Sequence, residues 1–582
     1  MSGRRFDAGT IVAAMLGILC IVLAPQDVLA EVQAPGELRD HLTVEELAPD
    51  VRVNFGLVHN DYFMPVGPSA DALRELSGVL EVPETQSHSL KGRFPAFSVA
   101  FFSHDGYLVP TERDILPGGI SLWNLVLSPG RVWSEPGDDG WSRASFPFTL
   151  TGKQQNDGHN GIASFLYNET EVSALRVQVV QETSPGSQFD GWAQLPLAYT
   201  PGPIDNRQAL DERFVRELAR QFPMRPWSAL DGAADPGLLA GFDGYAFDVT
   251  VSGLVVDGVL FAQPCRTRFG DYPYCREMRH GVYSATKSLG GALSLLRLAQ
   301  KYGDAVFDFR IADYLDVTAD HDGWNEVTFA DALNMATGIG DKALNRGAES
   351  YDFHGDRGSM ARRRFWFARS AEARLAAVFS AGNYPWGPGE VGSYNDGHTF
   401  VLAAAMDALL KRREGPDANL WDMVVTEVLE PIGVPYAPMI HTREPGGGRG
   451  VPIMGWGYLP TIGEMAKIAE LLHAGGRHQG RQLLSAAKLR EIFPGATAPG
   501  LPVNWHNDFG EFHYHMSFWY MPFRGQDDCL VWIPEMSGYG GNQVVLMPNG
   551  MTGIRLADGG ASRQYDTEAM ARLADDLAPF CQ

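Results

Sequence analysis

Positive charge is scarce in this 582-residue chain. Lys and Arg number 47 against 70 Asp and Glu, a formal net charge of −23. That balance argues against nucleic acid or an anionic membrane as the main partner, because both need a basic surface. Its plainest use is solubility. Long apolar runs are scarce too: beyond the N-terminal stretch, nothing approaches the ~20 apolar residues of a membrane span. There is no Gly-x-Ser-x-Gly nucleophile elbow, which argues against an α/β-hydrolase. "GPGEVG" and "EPGGGRG" lack the Lys-Ser/Thr of a phosphate loop and read as turns. "ADHDG" lacks the spacing of a calcium loop. Internal repeats and long low-complexity tracts are absent.

The single long apolar run, "GTIVAAMLGILCIVLA", follows Arg4 and Arg5 and leads to "VLA" ending at Ala30. It reads as an export signal over residues 1–30, with an uncleaved anchor as the alternative. Cys20 lies inside it, but the preceding "GIL" is a poor lipidation context. The mature chain is expected outside the cytoplasm, periplasmic or extracellular, with no stable membrane span.

Cysteine is rare: five in all, of which Cys265, Cys275, Cys529 and Cys581 would survive cleavage. An even number in an exported chain suggests disulfides, with three possible pairings. Cys265–Cys275 would close a short loop and Cys529–Cys581 would tie down the C-terminus. Four free buried thiols are the alternative. The spacings match no common zinc pattern.

The chain is too long for one ordinary core, so two domains are expected. Residues 31–235 are strand-like: "FPAFSVAFFS", "GISLWNLVLS" and "SALRVQVVQE" are β-branched and aromatic, separated by Gly, Pro, Asn and Asp. They predict a β-rich accessory domain with one clear helix, "ALDERFVRELARQF", and no catalytic constellation. Over 236–582 the texture changes. "YAFDVTVSGLVVDGVLFAQ" predicts a hairpin, with turns near Ser252-Gly253 and Asp257-Gly258. Helices follow, and strands return in "CLVWIPEMSGYGGNQVVLMPNGMTGIRLAD" before a last helix. Strands at both ends with helices between them predict an α+β fold: an antiparallel sheet flanked by helices, with a helical insertion.

The chemistry concentrates in "HGVYSATKSLGGALSLLRLAQKYG". After Thr286 the apolar residues surround the helix rather than striping it, which marks a core helix. Gly290 and Gly291 weaken it by ~1 kcal/mol each relative to Ala, so they should permit close approach of another element. Ser284 falls at the N-cap or first turn, and Lys287, three residues on, shares its side. A helix N-terminus and burial both disfavour an ammonium. A lysine so placed is suited to take a proton from the serine hydroxyl, and the N-terminal amides favour an oxyanion. A second Ser-x-x-Lys, Ser485 to Lys488, reads instead as an ordinary N-cap on an exposed helix.

Further stretches follow in a fixed order: "NEVTFADALNMATGIG", "WGPGEVGSYNDGHTFVLAAAMD", "GWGYLPTIGEMAKIAELLHAGGRHQGRQLLS" and "MSGYGGNQVVLMPNG". With "YSATKS" they make residues 240 to 582 resemble the serine β-lactamase and penicillin-recognising family, in its class C and esterase-like branch. The resemblance implies that Ser284 is the acylated nucleophile, Lys287 its proton-relay partner, and Tyr394 a phenolate base or relay. It implies an oxyanion hole made by the backbone N–H groups of Ser284 and Tyr539, with Asp396, Met536, Ser537 and Gly538 on the substrate side. No metal and no cofactor are implied.

Two residues depart from the family pattern. Asp396 stands where that family usually has Asn. A carboxylate only accepts hydrogen bonds, and near Lys287 it favours the ammonium, which shifts the role of base toward Tyr394. Alternatively, Asp396 points away and caps the next helix. Met536 stands where β-lactamases carry a lysine that holds the substrate carboxylate, which turns the expectation toward uncharged esters or amides. Arg555, on the following strand-like segment, could compensate, but it reads rather as an exposed strand arginine. His513 and His515 share a strand face but lack a third metal ligand. Arg362 to Arg364, in "MARRRFWFARS", read as a solvated helix face in an insertion near the cleft.

The expectation is therefore an exported serine hydrolase acting through an acyl-enzyme on a small ester or amide. A non-catalytic binding or sensor protein on the same fold is the alternative, and a β-lactamase or D,D-peptidase is a further one. Oligomeric state is not legible.

Overall fold

Strand-forming residues dominate the first third of the chain, and there they build a ten-stranded antiparallel sheet. The computed structural model describes residues 57–65, 71–87, 90–183, 187–242, 249–340, 353–354, 359–526, 528–558 and 567–581. The export signal expected over 1–30, with Arg4, Arg5, Cys20 and Ala30, lies outside them.

The first sheet comprises β1 (Ser77–Val82), β2 (Phe97–His104), β3 (Tyr107–Pro110), β4 (Trp123–Leu127), β5 (Gly130–Trp133), β6 (Ser142–Gly152), β7 (Gly158–Tyr167), β8 (Leu175–Glu182), β9 (Gly191–Leu195) and β10 (Ala198–Pro201). Its order is β9-β8-β7-β6-β5-β3-β2-β1-β10, with β4 paired to β6. Phe101, Phe146, Phe148, Phe165, Val177 and Val179 pack into its own core.

Every residue of β6, β7 and β8 is buried. An antiparallel sheet usually leaves one face wet; here the second face is covered by the rest of the chain. Ile162 and Leu166 of β7 belong to the other large core. Tyr272 donates to the Gly161 carbonyl at 2.8 Å and Tyr274 to the Ser145 carbonyl at 3.1 Å.

The second sheet comprises β11 (Met224–Pro226), β12 (Val249–Val256), β13 (Val259–Ala262), β14 (Leu501–Asn507), β15 (Gly510–His515), β16 (Phe518–Arg524), β17 (Leu530–Gly538), β18 (Asn542–Leu546) and β19 (Thr552–Ala557). The order is β11-β13-β12-β19-β18-β17-β16-β15-β14, and only β11, on β13, pairs parallel. The chain thus leaves the sheet after β13 and returns at β14, and the excursion is mostly helical.

The helices that position the site are α1 (Arg207–Ala219), α2 (Leu293–Tyr302), α3 (Phe329–Leu333), α4 (Met360–Phe367), α5 (Asp396–Glu414), α6 (Ile462–His473), α7 (Ala486–Arg490) and α8 (Thr567–Leu577). α2, α5 and α6 bury Leu296, Phe400 and Ile468 in one core against the sheet. α8 buries Met570 and Leu573 against its other face, beside Ile533 and Val545. This is the α+β arrangement of an antiparallel sheet flanked by helices, preceded by a β-rich region. No described helix is long and apolar enough to cross a membrane.

The hairpin turn forms at Asp257-Gly258, where both residues take positive φ. The turn expected at Ser252-Gly253 does not form, because both residues lie inside β12. Gly253 is there for packing: a Cβ would meet the Leu260 side chain at 2.7 Å. Cys265–Cys275 and Cys529–Cys581 are both paired, with Cα separations of 5.3 and 6.5 Å.

Candidate active site

The segment carrying Ser284 is not one regular helix. A 3-10 turn over Tyr283–Ala285 passes into a π-helical stretch over Lys287–Ala292 and only then into α2. π segments are rare and concentrate at functional sites. Gly290 permits the expected close approach, since a Cβ there would lie 2.9 Å from Met454 Sδ. Gly291 leaves ordinary contact distances. Tyr283 has φ +46°, a left-handed conformation that is costly for an aromatic residue.

Lys287 is fully buried. Its Nζ donates to Ser284 Oγ at 2.9 Å, Asp396 Oδ1 at 2.6 Å and the Gly455 carbonyl at 2.8 Å. Three acceptors for three N–H bonds suit an ammonium. The same Nζ lies 4.7 Å from the centroid of the Tyr394 ring. Ser284 and Tyr394 both line a cavity of about 1220 Å³. The serine, the lysine, the tyrosine and the aspartate are thus brought together.

Asp396 opens α5, but Asn395 caps that helix, its side chain accepting from Gly397 N–H. Asp396 instead faces Lys287, and its second oxygen takes a 3.0 Å bond from Arg362 Nη2. Burial alone would raise its carboxyl; Lys287 and Arg362 together outweigh burial and hold it below the ordinary carboxylate range. The reading of Arg362 as solvated is therefore corrected. α4 turns it inward to the Asp396 carboxylate, while Arg363 and Arg364 remain exposed.

The strand motif divides by alternation. Ser537 and Gly538 of β17 line the cavity, with Tyr539 following. Met536 points the other way and is fully buried in the core, so its expected place on the substrate side is corrected. The end of β17 lies hard against the turn that carries Ser284: a Cβ on Gly538 would sit 2.0 Å from the Val282 carbonyl oxygen. The Tyr539 ring meets Tyr283 edge-on at 5.6 Å.

Arg555 is 2 % exposed in β19, between β12 and β18, and does not line the cavity. A central strand leaves no exposed face for it, which corrects the expectation of an exposed strand arginine. His513 bonds the Pro499 carbonyl at 2.8 Å, and His515 lies 3.7 Å from Glu491. Among the described residues no group of three or more His, Cys, Asp or Glu could hold a metal. Ser485 caps α7, accepting from Lys488 N–H, while Lys488 pairs with Glu491 at 3.0 Å.

Several lining residues were not singled out from sequence. Trp366 stacks on Trp456 at 4.4 Å, and Trp505 on Trp519 at 4.9 Å, so aromatic faces dominate the walls. Glu535 sits in the wall beside Ser537; burial pushes its carboxyl up, against bonds from Thr567 and Gln543 that lower it. Gln155 and Ser187 reach the cavity from the β-rich region.

In comparisons with solved structures, a D-stereospecific amidohydrolase from Streptomyces aligns at 13% identity, over 60% of this chain and 99% of that one, with a TM-score of 0.40. A family VIII carboxylesterase aligns at 15% identity over 63% and 96%, TM-score 0.39. A class C β-lactamase mutant aligns at 12% over 60% and 96%, TM-score 0.39. All three are hydrolases by their own descriptions; identities this low and TM-scores below 0.5 assign no activity to this chain. No family model and no curated protein matches the chain.

Proposed function

We propose that this protein is an exported serine hydrolase that acylates Ser284 with an uncharged ester or amide carrying a bulky apolar group. The observation that carries the reading is the cluster at Lys287 Nζ, which joins Ser284 Oγ, Asp396 and the Tyr394 ring at the wall of a large cavity. An ammonium held by Asp396 is a poor acceptor for the serine proton, so Lys287 acts as a fixed positive charge. It favours the phenolate of Tyr394, which serves as base. Lys287 donates to a lone pair of Ser284 Oγ and leaves the hydroxyl hydrogen free for transfer.

As Oγ bonds to the substrate carbonyl, that hydrogen passes to Tyr394. The oxyanion is met by the N–H groups of Ser284 and Tyr539. Tyr394 returns the proton to the leaving alcohol or amine, and water then cleaves the acyl-enzyme by the same relay. The aromatic walls favour an apolar substrate. Met536 offers no charge to a substrate carboxylate, and Arg362 is committed to Asp396. The division into 31–235 and 236–582 belongs to this reading, with export supported by the two disulfides.

The test is labelling of the purified protein with a fluorophosphonate probe, followed by intact-mass spectrometry with a panel of p-nitrophenyl esters, amides and penicillins. A single adduct, lost in Ser284→Ala, is expected; undiminished labelling of that variant sinks the assignment. A second reading, a binding protein on the same fold, is favoured by the ion pair that ties the Lys287 ammonium to Asp396. A burst of p-nitrophenol that depends on Ser284 excludes it.

A further inference from the structure

Among the described residues, the β-rich region contributes only Gln155 and Ser187 to the cavity wall, yet its β6–β7 turn reaches the strained approach to Ser284. This turn, residues 153–157, is held shut at its base. Gly152 N–H donates to the Asp157 carbonyl at 3.2 Å, and the Asp157 carboxylate lies 3.3 Å from buried His159. So fixed, Asn156 is fully buried and spends its amide on two distant segments. Its Oδ1 accepts from Tyr283 N–H at 2.7 Å, and its Nδ2 donates to the Tyr458 carbonyl at 3.1 Å.

Two further buried side chains, Asn160 in β7 and Thr183 just past β8, hold the same approach. Thr183 Oγ1 accepts from Gly281 N–H at 2.8 Å, and Asn160 Nδ2 donates to the Arg279 carbonyl at 2.9 Å. The backbones nearly touch: a Cβ on Gly281 would lie 1.6 Å from the Asn156 carbonyl oxygen. The next residue back in the turn, Gln155, lines the cavity.

We infer that Asn156 is a positioning residue for Ser284, and that the β-rich region is thereby a working part of the active site. The inference rests on the proposed role of Ser284. Tyr283 adopts the left-handed φ of +46°, which an aromatic residue leaves unless it is held. The peptide between Tyr283 and Ser284 carries the Ser284 N–H expected to meet the oxyanion. It also sets the direction of Oγ toward Lys287 Nζ. The Asn156 amide pins the N–H one residue upstream. Without that tether Tyr283 relaxes, the peptide plane turns, and hydroxyl and N–H both leave the reacting position.

The test uses the full chain and a fluorophosphonate probe, with the maximal labelling rate and the probe's binding constant measured separately. Asn156→Ala is expected to lower the maximal rate about 10- to 100-fold, the loss typical of an unsatisfied buried donor, with the binding constant little changed. Asn156→Asp keeps an acceptor for Tyr283 N–H but sets an oxygen against the Tyr458 carbonyl in place of Nδ2, so its rate is expected to fall between those of the parent and Asn156→Ala. Thr183→Ala removes a similar bond three residues before Ser284 and controls for general loosening; its loss is expected to be clearly smaller. An unchanged rate in Asn156→Ala, or equal losses in the Ala variants at 156 and 183, overturns the inference. Should Asn156→Ala not fold, Asn156→Asp decides alone: a rate ratio to the parent that rises toward one on acidification, as the carboxyl regains an O–H for the Tyr458 carbonyl, supports the tether, and a ratio that stays low and flat overturns it. Labelling that survives Ser284→Ala refutes the underlying reading instead, whatever happens at Asn156.

Discussion

Asp396→Asn is the most informative single change, because one buried carboxylate serves two cations. The contacts are 2.6 Å to Lys287 and 3.0 Å to Arg362. At an effective dielectric of about 20, each is worth about 6 kcal/mol of gross attraction. Desolvation offsets much of that, and removing one partner from a buried pair typically costs about 3–5 kcal/mol. Asp396→Asn should reach at least that range, since it leaves two cations facing a neutral amide. Arg362→Gln leaves the Lys287–Asp396 pair intact and should cost less, about 1.5–3 kcal/mol. The sign with pH follows from the lowered folded-state carboxyl. Its stabilisation is complete above the unfolded value of about 3.9 and is lost as pH falls through the still lower folded value. The assay is urea unfolding followed by tryptophan fluorescence, for parent and variants, at neutral pH and at successively lower pH. Asp396→Asn should be the less stable variant at neutral pH, and its deficit relative to the parent should shrink on acidification. A neutral Asp396→Asn, a reversed order of the two variants, or a deficit that widens in acid would refute the shared-carboxylate account.

Other outcomes follow from the same geometry. Tyr394→Phe should slow acylation by about 10²- to 10⁴-fold, the usual worth of a general base, as measured by single-turnover labelling; an unchanged rate removes Tyr394 from the relay. Gly538→Ala places a methyl 2.0 Å from the Val282 carbonyl. It should cost about 1–3 kcal/mol through overpacking and cut acylation more than it lowers the thermal midpoint; a silent variant means β17 does not press on the turn that carries Ser284. Trp505→Ala, losing the stack on Trp519, should raise KM about 3- to 10-fold for an aryl ester and little for an acetate ester. Replacing Cys529 and Cys581, 52 residues apart, should destabilise more than replacing Cys265 and Cys275, 10 apart, because the longer loop is the more constrained by its bond. Equal losses in denaturant midpoint would go against the loop-entropy account.

What was legible in the sequence was local or ordered. Ser284 and Lys287 are three residues apart at the head of an apolar run, and that spacing alone puts their side chains together. Tyr394 and Asp396 became visible because the motifs follow one another in a fixed order. The arginines show where local pattern fails. Three consecutive arginines look solvated, yet a helix sends neighbours 100° apart, and only Arg362 faces the buried carboxylate. Arg555 and Met536 were misplaced for a related reason: period-two alternation says that neighbours face opposite sides, but not which side faces the cavity.

Asn156 was invisible in a stronger sense. Its partner lies 127 residues away, in a segment that sequence texture assigns to a different domain. Nothing in "TGKQQNDGHN" distinguishes it from any polar turn. A turn of that composition would normally be wet. Here Lys153 and Gln154 are half-buried and Gln155 is exposed, but Asn156 and Asp157 are buried where the turn re-enters strands covered on both faces, so the Asn156 side-chain amide must find partners in the neighbouring segment or go unsatisfied. The completeness of burial in three consecutive strands is thus the feature that converts an apparent accessory sheet into a support for the turn that carries Ser284. It also explains why a constellation sought among acids, bases and nucleophiles missed it, since what the first sheet contributes is chiefly hydrogen-bond geometry.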